Sequence, residues 1–460
     1  MIAQKKYSDV MQYLNIQDAS LENTYQKGIA TMGMGRYDEA EMYFNQILNS
    51  GDNVDKSLYE KSKYNVIKNY FLWEKYSDAI TSGEAYIAGD NLYALEDVVD
   101  KVAISYFRLD NPEKAREYFE KLKLVSNMGD YAQFQIGETY YSEKRYQDAI
   151  DAYRISAQNS KNPEYKEKGL YWEISSLYLL KNTNEFDTKS KEFLKSYPNS
   201  KLKDNILLME GELYGIQGNN TNSLQTYEKL YGETKDDVLK EKSLMKIIEL
   251  SENTKNIQKE LEWINKITND NKKSYYMAKH LQREKKHEEA KVEFEKLIVT
   301  NDYKDFGALG LGDYYYSKKD FLKAKEYYES ILILENSAYK DKALYQVANI
   351  EKETGLIKEA IRNYTKLYVL YPTSEYALES KIRSAEGYEN LNDFKDAIAQ
   401  YDELLRTESK NKDYFLEKLI FLNLKIEKKD LAKVYYEQLK RENLKLSEKY
   451  KDFFNGGENI

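Results

Sequence analysis

A small residue set between two large ones returns along this chain at a nearly constant interval. Tyr37, Ala40 and Phe44 form one copy, and Tyr76/Ala79 opens another. Pro112/Ala115/Phe119, Tyr146/Ala149/Tyr153, His287/Ala290/Phe294, Phe321/Ala324/Tyr328, Ile357/Ala360/Tyr364, Phe394/Ala397/Tyr401 and Lys429/Ala432/Tyr436 continue the series. Weaker copies are placed on Lys189, Ser223 and Glu260. Ala40 to Ala432 spans eleven intervals of about 36 residues each, a period suited to one helix-turn-helix unit. Such a unit cannot bury its apolar face alone, so it must stack on its neighbours.

Twelve residues before most of these anchors stands a second small residue: Gly28, Ala103, Gly137, Gly211, Ala278, Gly312, Ala348 or Ala385. Two antiparallel helices approach closely only where one presents a small side chain and the other a large one, and spacings of three and four keep such residues on one face. Composition agrees with helices throughout. Among 460 residues there are 4 Pro and 20 Gly, while 32% are charged and 41% hydrophobic, a mixture suited to amphipathic helices.

The triple tyrosine Tyr314–Tyr315–Tyr316 invites a chemical reading, but its frame already occurs 175 residues earlier. Gly137, Tyr140, Tyr141, Ser142 and Ala149 fall opposite Gly312, Tyr315, Tyr316, Ser317 and Ala324. A set recurring at fixed offsets implies packing. The phase places Tyr315 in the core and Tyr316 on the first-helix face.

These repeats resemble the tetratricopeptide repeat (TPR) family, over about twelve units and nearly the whole chain. The segments Tyr197-Pro198-Asn199-Ser200 and Tyr371-Pro372-Thr373-Ser374 are more specifically similar to linkers of bacterial cell-envelope TPR proteins. That group includes the lipoprotein partner of the outer-membrane β-barrel assembly machine and the periplasmic protein that works with Tol-Pal. The resemblance implies an all-α, right-handed superhelical α-solenoid with a C-terminal capping helix, in which the first helix of each repeat lines a concave groove. Pro198 and Pro372 should end one repeat's second helix, with Ser200 and Ser374 capping the next first helix.

The expected organisation is a partial repeat over 1–20, an N-terminal array over 21–250 and an irregular, hinge-like repeat over 251–275. A C-terminal array over 276–440 and a capping helix with tail over 441–460 complete it. The irregular stretch is marked by an interval of only 30 residues between Glu260 and Ala290.

Projecting the phase onto the groove selects Tyr64, Phe71, Phe107, Phe134, Tyr141, Tyr178, Tyr275, Tyr316 and Tyr345 as partner-binding residues. Aromatic side chains bury large areas at low entropic cost and dominate binding hot spots. A single ring of this kind more often packs on the adjacent repeat, so the expectation rests on the set. The Lys and Asn framework that holds a C-terminal carboxylate in chaperone-binding TPRs is not evident, with only Lys342 and Asn349 resembling it.

No catalytic, cofactor-binding or metal-binding residues are expected. His280 and His287 are the only histidines and lack companion ligands at metal spacing. The glycines of Gly307–Gly312 follow no strand and do not have the order of a dinucleotide fingerprint. With no cysteine, thiolate chemistry is excluded, and a net charge of −8 argues against general nucleic-acid binding. No apolar run is long enough for a membrane span.

The chain therefore reads as a non-enzymatic adaptor that takes a peptide or helix in its groove. The alternative is a sensor that binds a small peptide or glycan there. The segment from Lys6 to Leu14 reads like the second half of a repeat, so a signal or anchor upstream of Met1 and a periplasmic or envelope location are expected, with the cytoplasm as the alternative.

Overall fold

The computed structural model describes residues 2–14, 20–51, 54–90, 92–124, 127–408 and 410–455. The described residues are helical, without a strand, and helix follows helix in an all-α repeat fold. Two compact units are present, Met1–Lys255 and Asn256–Ile460. Their boundary falls within the segment of irregular repeat spacing.

Each repeat turns at a residue with positive φ. Gly35, Glu74, Asp110, Lys144, Lys181, Gly218, Lys255, Lys285, Lys319, Gly355, Asn392 and Glu427 all lie between 55° and 81°. The residue after the turn commonly donates its N–H five residues back, as from Arg145 to the Tyr140 carbonyl at 3.0 Å and from Asp320 to Tyr315 at 3.0 Å. This six-to-one closure satisfies a carbonyl left open at the helix end. Only three of these turns use glycine, so most were hidden from a search for glycine.

Seven residues before the turn and nine after it, one small and one large side chain meet in ten of these repeats; the Lys255 and Glu427 turns instead bring Ile248 to Ile264 and Ile420 to Tyr436. A Cβ on Gly28 would lie 2.6 Å from the Phe44 ring, one on Gly137 2.5 Å from Tyr153, and one on Gly312 2.5 Å from Tyr328. Two repeats reverse the volumes. Ile67 and Ile174 stand at the small position, while Gly83 and Ser190 replace the aromatic residue. The weak copy placed on Lys189 is corrected accordingly: its structural counterpart is Phe186, fully buried five residues after the Lys181 turn. In these two repeats the small and the large residue have exchanged helices while still meeting.

Within the N-terminal unit the first helices touch one another in sequence, Lys56–Leu72 against Leu95–Arg108 and Pro163–Leu179 against both Gly129–Ser142 and Lys203–Ile216. Four pairs of successive repeats are also latched by an aspartate near the start of a first helix. Asp204 accepts from Thr234 at 2.7 Å, Asp305 from Ser337 at 2.8 Å, Asp341 from Ser374 at 2.6 Å and Asp413 from Asn443 at 2.7 Å.

Ser374 thus serves a different end from the expected helix cap. Its hydroxyl also accepts from the Tyr376 N–H, while Ser200 accepts from Leu202 N–H, so both shape the turn before the helix. Helices Lys203–Ile216 and Ala377–Asn390 begin without a side-chain cap.

At the N-terminus helix Ile2–Leu14 brings Tyr7 against Gly33. At the C-terminus the expected single capping helix is broken into Leu444–Ser447, Glu448–Tyr450 and Lys451–Asn455. They close the last core cluster by burying Tyr450 and stacking Phe454 on Tyr436 at 4.8 Å. The expected tail from 456 onward lies outside the described residues.

Candidate functional site

The nine rings assigned to the groove all lie on first helices, but they differ in how much surface they offer. Phe134 is only 7% exposed, between Tyr153 at 5.5 Å and Tyr165 at 5.8 Å, so its ring belongs chiefly to the core. The other eight are half-buried. Tyr64 donates to Asp97 at 2.6 Å and meets Tyr93 edge-on, and Phe71 meets Tyr76 in the same way. Phe107 packs on the cluster around Val102 and Phe119.

Tyr141 lies 5.0 Å from Trp172, and Tyr178 donates to Glu212 at 2.8 Å. In the C-terminal unit Tyr275 stacks on Tyr303 at 5.0 Å, Tyr316 meets Phe321 at 5.6 Å and Tyr345 stacks on Tyr376 at 5.0 Å. Each is braced on one side by a neighbouring residue. Tyr315, expected in the core, is also half-buried and stacks on Tyr327 at 5.6 Å.

A polar row runs beside these rings, which sequence reasoning missed. The residue six before the turn is acidic in several repeats, and at Asp313 and Glu138 it is held by a phenol from its own repeat beside a lysine from the next. Asp313 accepts from Tyr328 at 2.6 Å and from Lys342 at 3.1 Å. Glu138 accepts from Tyr153 and lies near Lys168. Glu389, three residues later in its own frame, accepts from Tyr401 at 2.5 Å and Lys418 at 2.8 Å.

Burial pushes the phenols of Tyr153, Tyr328 and Tyr401 well above their ordinary range. They stay protonated donors at neutral pH. The signal was available in the offsets of 15 and 29 residues, but only once the repeat was known.

Those bonds also dispose of the resemblance to a carboxylate clamp. Lys342 is engaged by Asp313, and Asn349 accepts from Tyr364 at 2.6 Å while donating to Gln346 at 2.9 Å. His280 is buried beside Glu260, its Nδ1 3.0 Å from a carboxylate oxygen that shares the group with Arg283. A buried carboxylate there takes the place of the usual alanine. Among the described residues no group of three His, Asp or Glu converges to hold a metal, and no helix is long and apolar enough to cross a membrane.

Asp97 and Asp100 both lie on the first-helix face. Asp97 is paired with Lys101 at 2.7 Å, whereas burial raises the Asp100 carboxyl to about 6 despite a hydrogen bond from Tyr131. A further feature is a cleft of about 430 Å³ lined by Tyr178, Glu212, Tyr227, Lys246, Glu249 and Leu250, with Gly211 and Gly215 between them.

Residues 103–163 match the tetratricopeptide repeat family. No curated protein sequence matches the chain. Among solved structures it is similar to one from the functional characterisation of Pseudomonas aeruginosa PilF, at 16% identity and TM-score 0.32, over 44% of this chain and 88% of that one. A chain from the structure of Naa15/Naa10 bound to HypK-THB is similar at 14% identity and TM-score 0.36, over 98% and 69%. One from MamA AMB-1 is similar at 17% identity and TM-score 0.31, over 40% and 94%. The protein is an all-α repeat scaffold, of the kind that suggests protein partners, and its residues 103–163 match the tetratricopeptide repeat.

Proposed function

We propose that this protein is a non-enzymatic adaptor that captures a peptide or helix of a partner protein along its first-helix face. One observation carries the reading: Phe71, Tyr141, Tyr178, Tyr316 and Tyr345 stand half-buried on first helices, each braced from one side. A ring fixed in this way loses little further freedom when a partner covers its open side. The Tyr-Pro linkers at 197–198 and 371–372 support a setting in bacterial cell-envelope assembly or maintenance.

Photo-crosslinking in the source cell tests both parts. A photoreactive residue replaces Tyr141 or Tyr316 on first helices, and Leu322 or Val434, 75% and 61% exposed on second helices, in controls. The same protein adducts are expected from both first-helix sites, in the envelope fraction, and not from the controls. Equal yields from the second-helix sites would overturn the groove reading, and adducts confined to the cytoplasm would overturn the envelope setting.

A further inference from the structure

Tyr227 breaks the rule of its column. Tyr153, Tyr328, Tyr364 and Tyr401 each donate a phenol to a polar group on their repeat's first helix. Tyr227 occupies the same place, 2% exposed and 3.0 Å from where a Gly211 Cβ would stand, yet among the described residues its hydroxyl has no hydrogen-bond partner. The acid it would use is already engaged: Glu212 accepts from Tyr178 at 2.8 Å through one oxygen and from Lys242 at 3.0 Å through the other. The ring is buried, and the hydroxyl is left to the cleft that Tyr227 lines.

That hydroxyl borders the 430 Å³ cleft. Burial first, and then the nearby carboxylates of Glu212 and Glu249, push the phenol upward, so it stays neutral and its oxygen can accept. Gly215 occupies the place where other repeats carry Tyr141, Tyr178 or Tyr316, and a Cβ there would meet nothing nearer than Ser223 Oγ at 3.5 Å. The repeat has omitted its own side chain, leaving room for a foreign one. Lys246, the one cation among the lining residues, pairs with Glu249 at 2.8 Å, with side chains 40% and 55% exposed.

Charge favours a cation. The first 255 residues carry 33 Lys and Arg against 41 Asp and Glu, whereas the remainder carries 37 of each.

We propose that this cleft is an arginine subsite, in which Glu249, the Tyr227 hydroxyl oxygen and Glu212, through the lone pairs its two bonds leave open, accept from the guanidinium of a partner segment while Tyr178 lies along its plane. The planar group with five donors suits several acceptors in one plane and stacks on aromatic rings, which an ammonium does less well. The proposal rests on the first-helix reading above and adds the chemistry of the partner.

The test is calorimetric titration of the full chain with acetyl-Gly-Arg-Gly-amide and with its citrulline counterpart, which keeps the shape and removes the charge. Binding of the arginine peptide at least tenfold tighter is expected, with a tenfold loss in Tyr227→Phe. Loss is also expected in Gly215→Tyr, which fills the cleft from an open position; circular dichroism confirms that each variant is folded. Equal affinity for the two peptides, or arginine binding unchanged in Gly215→Tyr, overturns the subsite. The two readings fail separately, because crosslinks at Tyr141 and Tyr316 without arginine preference remove only the subsite, and arginine binding without crosslinks removes only the extended groove.

Discussion

Replacing Gly312 by alanine should destabilise this protein even though alanine is the better helix former. The residue lies inside helix Lys304–Ser317, where the exchange alone would stabilise by up to about 1 kcal/mol. Against that, the new Cβ would stand 2.5 Å from Tyr328 Cε1 and 2.8 Å from Cδ1. Tyr328 is fully buried and tethered by its hydroxyl to Asp313 at 2.6 Å, so the ring cannot swing aside without giving up that bond. Overpacking costs about 1–3 kcal/mol and a lost bond to a charged group about 1.5–3. The net expectation is a loss of roughly 1–3 kcal/mol.

Urea unfolding followed by far-ultraviolet circular dichroism measures it, with Gly232→Ala as the control. Gly232 is also helical but has nothing within 4 Å of its Cβ, so that variant should be neutral or slightly more stable. If Gly312→Ala matches the control, the account of small and large residues meeting across each repeat is refuted.

Asp100→Asn should stabilise the protein, and more at pH 7 than at pH 4. The folded carboxyl is raised to about 6 from 3.8 by burial, so the native state pays for ionisation as pH climbs through that window. The gain, read from unfolding midpoints at both pH values, should be on the order of 2 kcal/mol, and an equal effect at both would contradict it. Tyr153→Phe should cost about 1–3 kcal/mol by removing the donor to Glu138, whose carboxyl burial already raises. Without the donor that carboxyl rises further, so the loss should be larger at pH 8 than at pH 5 in the same unfolding assay. A double-mutant cycle of Asp341→Ala with Ser374→Ala should show a coupling of about 1 kcal/mol, and additive effects would mean that the latch between these repeats is incidental.

The phase of the repeat was legible because it rests on local spacing. Ala40, Ala324 and Ala432 are fully buried as the alternation implied, and so are the large partners Phe44 and Tyr328. Where the rule inverted, at Ile174 and Ser190, the reading slipped by three residues to Lys189, because there the small residue sits on the other helix of the pair and the usual anchor position holds Phe186. The rings of the face were harder still. Phe134 and Tyr141 lie seven residues apart on one helix, yet one is closed off by Tyr153 and Tyr165 and the other is half open.

The amino-acid sequence determined the all-helical character, the interval of about 36 residues and the residues meeting between paired helices, since these follow from periodicity within a few turns. The tertiary structure alone decided which acid each phenol and lysine reaches, that Asp341 holds Ser374, and that Tyr227 keeps an unclaimed hydroxyl beside an open cleft. Those partners lie about 15 to 33 residues apart in the chain. Their meeting depends on how neighbouring helices pack, and single-residue differences such as Gly215 for tyrosine redirect it without changing the repeat.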